Sequence, residues 1–247
     1  MPVKPSSRQR GRPPRVSRDQ ILAIALRIAD ERGLEQLTMR RLGAELGVDP
    51  MTIYGHVSDK AALFDGLIEL VLAQVKVPPP SGPWAEDLRA IARAARTTFL
   101  AHPHVVPLLG TRPPITRPAF ALVEAITSIL LEAGLSEEQA ADGFDCLGRL
   151  IVGHVLAEAG RPPGGQVDGG EQEHRHAQET LPAERYPALA RVQRAAVRHD
   201  PDRLFELALD GMIVALGARR PTGTAPSAPP APAQAVDLHT RHAGDHQ

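Results

Sequence analysis

An all-α fold is what this sequence predicts, and three observations carry the prediction. Apolar residues recur at helical spacing along most of the 247-residue chain. The first such stretch starts at Ser17 and stops at Gly33, as a helix does. No alternating apolar and polar run competes as a strand. Four prolines within Lys76-Val77-Pro78-Pro79-Pro80-Ser81-Gly82-Pro83 divide the pattern, since each removes a donor and clashes with a preceding carbonyl. The expected organisation is a disordered basic arm at 1–16, a small helical domain at 17–77, a larger one at 84–218 and a disordered Pro/Ala-rich tail at 219–247.

From Ser17 to Gly33, Ile21, Leu22, Ala25, Ile28 and Ala29 fall on one helical face, with Ser17 as cap and Gly33 as stop. Leu37 to Val57 reads as two short helices joined by a tight turn at Gly47. Leu42, Leu46, Val48, Ile53 and Val57 lock the pair, and the polar residues between them are left facing out. That is a helix-turn-helix. Its second helix starts at Pro50, carries Met51, Thr52, Tyr54 and His56, and has the size and polarity to lie in a DNA major groove. The plain alternative, an αα-hairpin inside a bundle, would use the same turn. Ser58-Asp59-Lys60 opens a fourth helix, with Leu63, Leu67, Leu70 and Val71 as its buried stripe. Beyond the prolines, helices are expected at about 84–101, 104–110, 116–133, 136–159, 187–198 and 201–218, punctuated by Gly134, Gly160 and Pro201. Residues 160–182, rich in Gly, Pro, Glu and His, read as a mobile loop.

The net charge of -1 hides an asymmetry. Residues 1–76 carry 12 Lys/Arg against 9 Asp/Glu, whereas residues 77–247 carry 16 against 20, so the positive end holds the helix-turn-helix. Arg10-Gly11-Arg12-Pro13 resembles a minor-groove AT-hook, in which Arg10 and Arg12 would enter a narrow, negative groove. The alternative is a solvated basic tail that adds affinity without sequence preference. No run of 18 apolar residues and no secretory leader is present, so a soluble cytoplasmic protein with no membrane partner is expected. The single cysteine, Cys146, excludes an intrachain disulfide; beside Leu147, Leu150 and Ile151 it reads as a small buried apolar residue.

Catalytic readings find little support. A phosphate-binding Gly-rich loop, a G-x-S-x-G elbow and an H-E-x-x-H pair are all missing, so no enzyme and no cofactor is expected. His174, His176, His239, His242 and His246 match no closed metal site by spacing, and no metal is expected.

The run from Ser17 to about Val77, centred on LTMRRLGAELGVDPMTIYGHVSDKAAL, strongly resembles the N-terminal domain of the tetracycline repressor (TetR) family of bacterial transcription regulators. Leu109-Gly110-Thr111-Arg112-Pro113 resembles the matching segment of the tetracycline-repressor branch, extending the likeness in weaker form over about 84–217. The resemblance implies DNA contacts at Thr38, Arg40, Pro50, Met51, Thr52, Tyr54, His56 and Lys60, with Lys60 against a phosphate. Gly55 departs from it, standing where tetracycline repressors place a bulky aromatic. The resemblance further implies that helices 136–159 and 201–218 pair across a twofold axis, through Leu147, Leu150 and Ile151 on one and Leu204, Leu207, Ala208, Gly211 and Met212 on the other. The same stripes could equally be ordinary core.

The expected function is a homodimeric repressor that binds double-stranded palindromic operator DNA and is released by a small molecule. The alternative is a ligand-independent repressor or architectural protein whose C-terminal domain only dimerises. Tetracycline repressors hold a magnesium-drug chelate with a histidine just before the Leu-Gly-Thr-Arg-Pro segment and a glutamate on a later helix. Here Leu108 and Ala157 stand at those places, with Glu158 adjacent to the second. The expected effector is therefore a mainly apolar organic molecule. Its expected lining is Phe99, Leu108, Leu109, Phe120, Val123, Phe144 and Ile151, with His102, His104 or Arg112 as polar anchors.

Overall fold

A computed structural model describes residues 16–112, 116–159, 184–195 and 200–220, and among these the regular structure is entirely helical. The basic arm with Arg10 and Arg12, the 160–182 loop and most of the Pro/Ala-rich tail lie outside the described residues.

Local capping sets most boundaries. Helix α1 (Arg18–Arg32) opens on a reciprocal capping box: the Gln20 N–H donates to Ser17 Oγ at 3.2 Å and the Ser17 N–H donates back to Gln20 Oε1 at 3.0 Å. It stops at Gly33, whose φ of 84° suits glycine. A 3₁₀ turn at Leu34–Gln36, absent from the sequence reading, leads into α2 (Met39–Leu46), capped by Thr38 and ended by left-handed Gly47 at φ 67°. Helix α3 is Pro50–Tyr54, capped by Asp49, and α4 is Lys60–Ala73, capped by Asp59. The C-terminal part comprises α5 (Trp84–Ala101), α6 (Val106–Thr111), α7 (Arg117–Glu132), α8 (Glu137–Glu158), α9 (Pro187–Ala195) and α10 (Pro201–Gly217). A second capping box, Ser136 with Gln139, starts α8.

Fully buried Ile21, Leu22, Ile28, Leu37, Leu42, Ile53, Leu63 and Leu67 bind α1 to α4 into one unit. Leu88, Leu130, Leu147, Val155, Phe205 and Leu209 do the same for α5, α7, α8 and α10. Among the described residues, no helix is long and apolar enough to cross a membrane.

A ladder of ion pairs sets how α10 is turned. Arg89, Arg93 and Arg96 of α5 meet Asp210, Glu206 and Asp202 of α10 at 2.8, 2.7 and 2.7 Å. Arg96, whose side chain is 12% exposed, also binds Glu158 of α8 at 2.7 Å and stacks over the Phe205 ring. Burial opposes its charge, yet hydrogen bonds to Glu158 and Asp202 outweigh that and raise its pKa. With Phe205, Leu209, Ile213 and Leu216 turned inward, α10 leaves Leu204, Leu207 and Val214 in solvent, at 47%, 68% and 70% exposure.

Two expectations about α8 need correction. Leu147 and Ile151 lie in the subunit's own core, in register with Ala140, Gly143 and Val155, so they are not surface available to a second copy. Cys146 is exposed, because its sequence neighbour Leu147 points about 100° away around the helix.

Candidate nucleic-acid interface

The α2 and α3 helices project one continuous polar face from an apolar base. Leu42, Ile53 and Val57 are buried beneath it, while Thr38, Arg40, Met51, Thr52, Tyr54, His56 and Lys60 are exposed and Pro50 is half-buried. Helix α3 is shorter than expected, so His56 stands in the turn that follows it and is held by its N–H to the Ile53 carbonyl at 2.9 Å. Gly55 caps α3 in an ordinary helical conformation.

The carboxylates around this face are already engaged. Asp49 accepts the Met51 N–H at 2.8 Å and Asp59 accepts the Ala62 N–H at 2.8 Å. Glu45 pairs with Arg27 at 2.8 Å, which lowers its pKa through that hydrogen bond. Arg41 turns back to the Gln36 side chain at 2.7 Å. Arg40 and Lys60 are exposed and enter none of the ion pairs formed among the described residues, and the Lys60 ammonium lies 5.3 Å above the centre of the Phe64 ring. Thr38 spends its hydroxyl as acceptor for the Arg41 N–H at 3.2 Å, which leaves its O–H hydrogen to donate. An open depression lined by Thr38, Arg40, Arg41, Ala44 and Glu45 flanks the face. Exposed cations beside hydroxyls, an aromatic and a thioether make a surface able to contact phosphate and base edges together.

The residues expected to line an effector pocket divide into groups. Phe99, Leu108 and Ile151 are buried, Leu109, Val123 and Phe144 are half-buried, and Phe120 is 56% exposed, which removes Phe120 from an enclosed pocket within one subunit. The three polar anchors do different work, since they join the two halves of the chain. His102 Nδ1 lies 2.9 Å from Asp30 Oδ2 on α1, and its Nε2 lies 3.1 Å from Gln74 Oε1 at the end of α4. His104 Nδ1 meets the Asp30 carbonyl at 3.1 Å, and Arg112 Nε donates to Asp65 of α4 at 2.8 Å. Asp30, Asp65 and Gln74 carried no sequence signal, because each acts through a partner 28 to 72 residues away. The α5–α10 ladder was missed as well, although its Arg and acid spacings are regular in the sequence.

Of the interface residues expected on α10, Leu204, Leu207 and Gly211 are exposed on one side, while Ala208 and Met212 are half-buried at its edge. On α8, Leu150 is half-buried.

Two family descriptions match this chain: "Bacterial regulatory proteins, tetR family" over residues 21–67 and "Tetracyclin repressor-like, C-terminal domain" over residues 78–219. The class A tetracycline repressor from transposon 1721 of Escherichia coli is 31% identical over 204 residues, which is 81% of this chain and 90% of that protein. An HTH-type transcriptional regulator of Saccharopolyspora erythraea is 31% identical over 147 residues; that match spans 59% of this chain and 62% of that protein. The crystal structure of the Streptomyces coelicolor TetR family protein ActR in complex with actinorhodin superposes with a TM-score of 0.72. It shares 34% identity and the match covers 82% of this chain and 97% of that one.

Proposed function

The chain belongs to the tetR family of bacterial transcriptional regulators, and from that membership we propose that it is a cytoplasmic homodimeric repressor of a palindromic operator, released by a small, mainly apolar organic effector. The observation that carries the DNA half of the reading is the outward face of α2 and α3, with exposed Arg40 and Lys60, outside every ion pair among the described residues, beside exposed Met51, Thr52, Tyr54 and His56. The apolar stripe of α10 supports a twofold partner, since Leu204, Leu207 and Val214 lie uncovered on a helix whose other side is core. Arg10 and Arg12 would follow the minor groove beside each half-site.

The effector half rests on chemistry. Leu108 has no lone pair for a hard cation, Ala157 has none either, and the adjacent Glu158 is held through Oε2 by Arg96 at 2.7 Å, so neither matching place carries a magnesium ligand. An apolar lining of Phe99, Leu108 and half-buried Leu109, Val123 and Phe144 suits an organic molecule, as does the actinorhodin bound by the related ActR. The use of His102, His104 and Arg112 in the joint favours a second reading, a regulator whose C-terminal part only dimerises, because it withdraws the expected polar anchors.

Selection of binding duplexes from a random pool by the full chain tests the first half. An inverted-repeat consensus, with Arg40→Ala weakening binding and flattening its salt dependence, is expected; no enrichment overturns the proposal. Titrating the selected complex with aromatic organic compounds separates the two readings, because only an effector-controlled repressor lets go of its DNA.

A further inference from the structure

The recognition face has an apolar tip that phosphate contacts leave unused. Pro50 has no N–H, and the Met51 N–H is spent on Asp49 Oδ1 at 2.8 Å, so these two residues offer no backbone donor to phosphate or base. What they offer is side chain. Met51 is 73% exposed, more than any other large apolar residue among the described ones, although Ile53 two positions later is fully buried. Tyr54, 45% exposed, sits one turn on and shares its side of the helix. Exposed Arg40 and Lys60, which enter no ion pair among the described residues, make this face complementary to a polyanion.

Within the major groove the base edges present donors and acceptors, with one apolar group, the C5-methyl of thymine. A thioether on three rotatable bonds adapts to such a group where a branched side chain would fix one approach. We propose that Met51 determines operator specificity by packing on a pyrimidine C5-methyl group in each half-site, with Tyr54 covering the adjoining edge. This rests on the operator-binding reading and adds to it the group that is read. The same methyl occurs on thymine and on 5-methylcytosine.

The test uses the full chain and the operator it selects. Each thymine is replaced in turn by deoxyuridine, which removes only the methyl. One position per half-site should lose about fourfold in affinity, and about fifteenfold when both half-sites are changed, as expected for one buried methyl each. In Met51→Ala, which removes no core contact, that position should become indifferent to the change while the others keep their wild-type response. Cytosine and 5-methylcytosine at the same position separate the sources of the methyl. Tighter binding of the methylated base supports recognition of the methyl alone, and equal binding of the two overturns it. A selected operator with no uracil-sensitive position, or a sensitive one whose response survives in Met51→Ala, overturns the proposal while leaving operator binding intact. Failure to select any operator overturns the functional reading beneath it.

Discussion

Replacing Leu207 by Glu separates an interface from a core. In the single subunit Leu207 is 68% exposed, and its neighbours Glu206 and Asp210 are held by Arg93 and Arg89, so a carboxylate there leaves the fold of α10 in place. In a twofold pair the same side chain is buried twice. Completing the burial of a leucine from about two-thirds exposure contributes about 1–2 kcal/mol, so two copies contribute about 2–4 kcal/mol to association. The substitution forfeits that and forces two desolvated carboxylates towards each other, weakening the dimer by at least 30- to 1000-fold. Sedimentation velocity should show a monomer with a wild-type far-ultraviolet spectrum and melting temperature, and the operator complex should be lost with it. Leu209→Glu is the control: Leu209 is fully buried, so that variant should fail by unfolding. A Leu207→Glu protein that stays dimeric and binds DNA normally would refute α10 as the partner surface.

Four further outcomes follow from single features. Gly66→Ala should lower stability by about 1–2 kcal/mol by urea titration, because its Cβ would collide with the methyls of buried Leu22, 2.9 Å from Cδ1, and overpacking exceeds the gain in helix propensity; an unchanged midpoint would show that Leu22 can move aside. Asp87 accepts the Ser81 hydroxyl and N–H, each at 2.6 Å, and its pKa is lowered mainly by the first. Its stabilising contribution is thus full above the unfolded carboxylate value of about 4 and lost as pH falls through the lower folded one. The melting temperatures of wild type and Asp87→Asn should accordingly converge only in that acid range, and a gap that persists below it refutes the charged role. Calorimetry with tetracycline and magnesium should show no binding, and a magnesium-dependent signal would restore the chelate site. Deleting residues 1–15 should weaken binding to operators with A·T-rich flanks more than to G·C-rich ones, whereas equal losses reduce the arm to an unspecific tail.

What was legible in the sequence was local. Ser17 with Gln20, Thr38, Asp59 and Ser136 with Gln139 act within three residues of where they stand, so helix starts followed from composition and spacing. Gly47 and Gly33 announced their turns because few other residues enter those conformations cheaply. The errors arose where rotation or distance decides. Cys146 was assigned to the core by its sequence neighbours, yet adjacent helical residues point about 100° apart. Leu147 and Leu207 both read as apolar stripe, and only the packing of α8 and α10 shows that one is core and the other surface. His102, His104 and Arg112 resembled pocket anchors because histidine and arginine are versatile, and their acceptors on α1 and α4 leave no local trace.

Those three residues also bear on how an effector site could reach the DNA face. All their donors fall within 102–112, and all their acceptors lie on α1, on α4 or at the end of α4. Helices α1 to α4 share a core of fully buried side chains, so deforming that unit would expose apolar surface at several kcal/mol per residue. The joint combines apolar packing of α4 against α7 with these polar contacts. Arg112 and Asp65 are 31% and 44% exposed, which limits their pair to about 1 kcal/mol or less. Among the described residues Asp30 Oδ1 is buried without a hydrogen-bond partner, so His102 offsets only part of the cost of burying that carboxylate. On the proposal of effector release, a ligand that displaced α6 would therefore act first on the polar contacts that residues 102–112 make with α1 and α4.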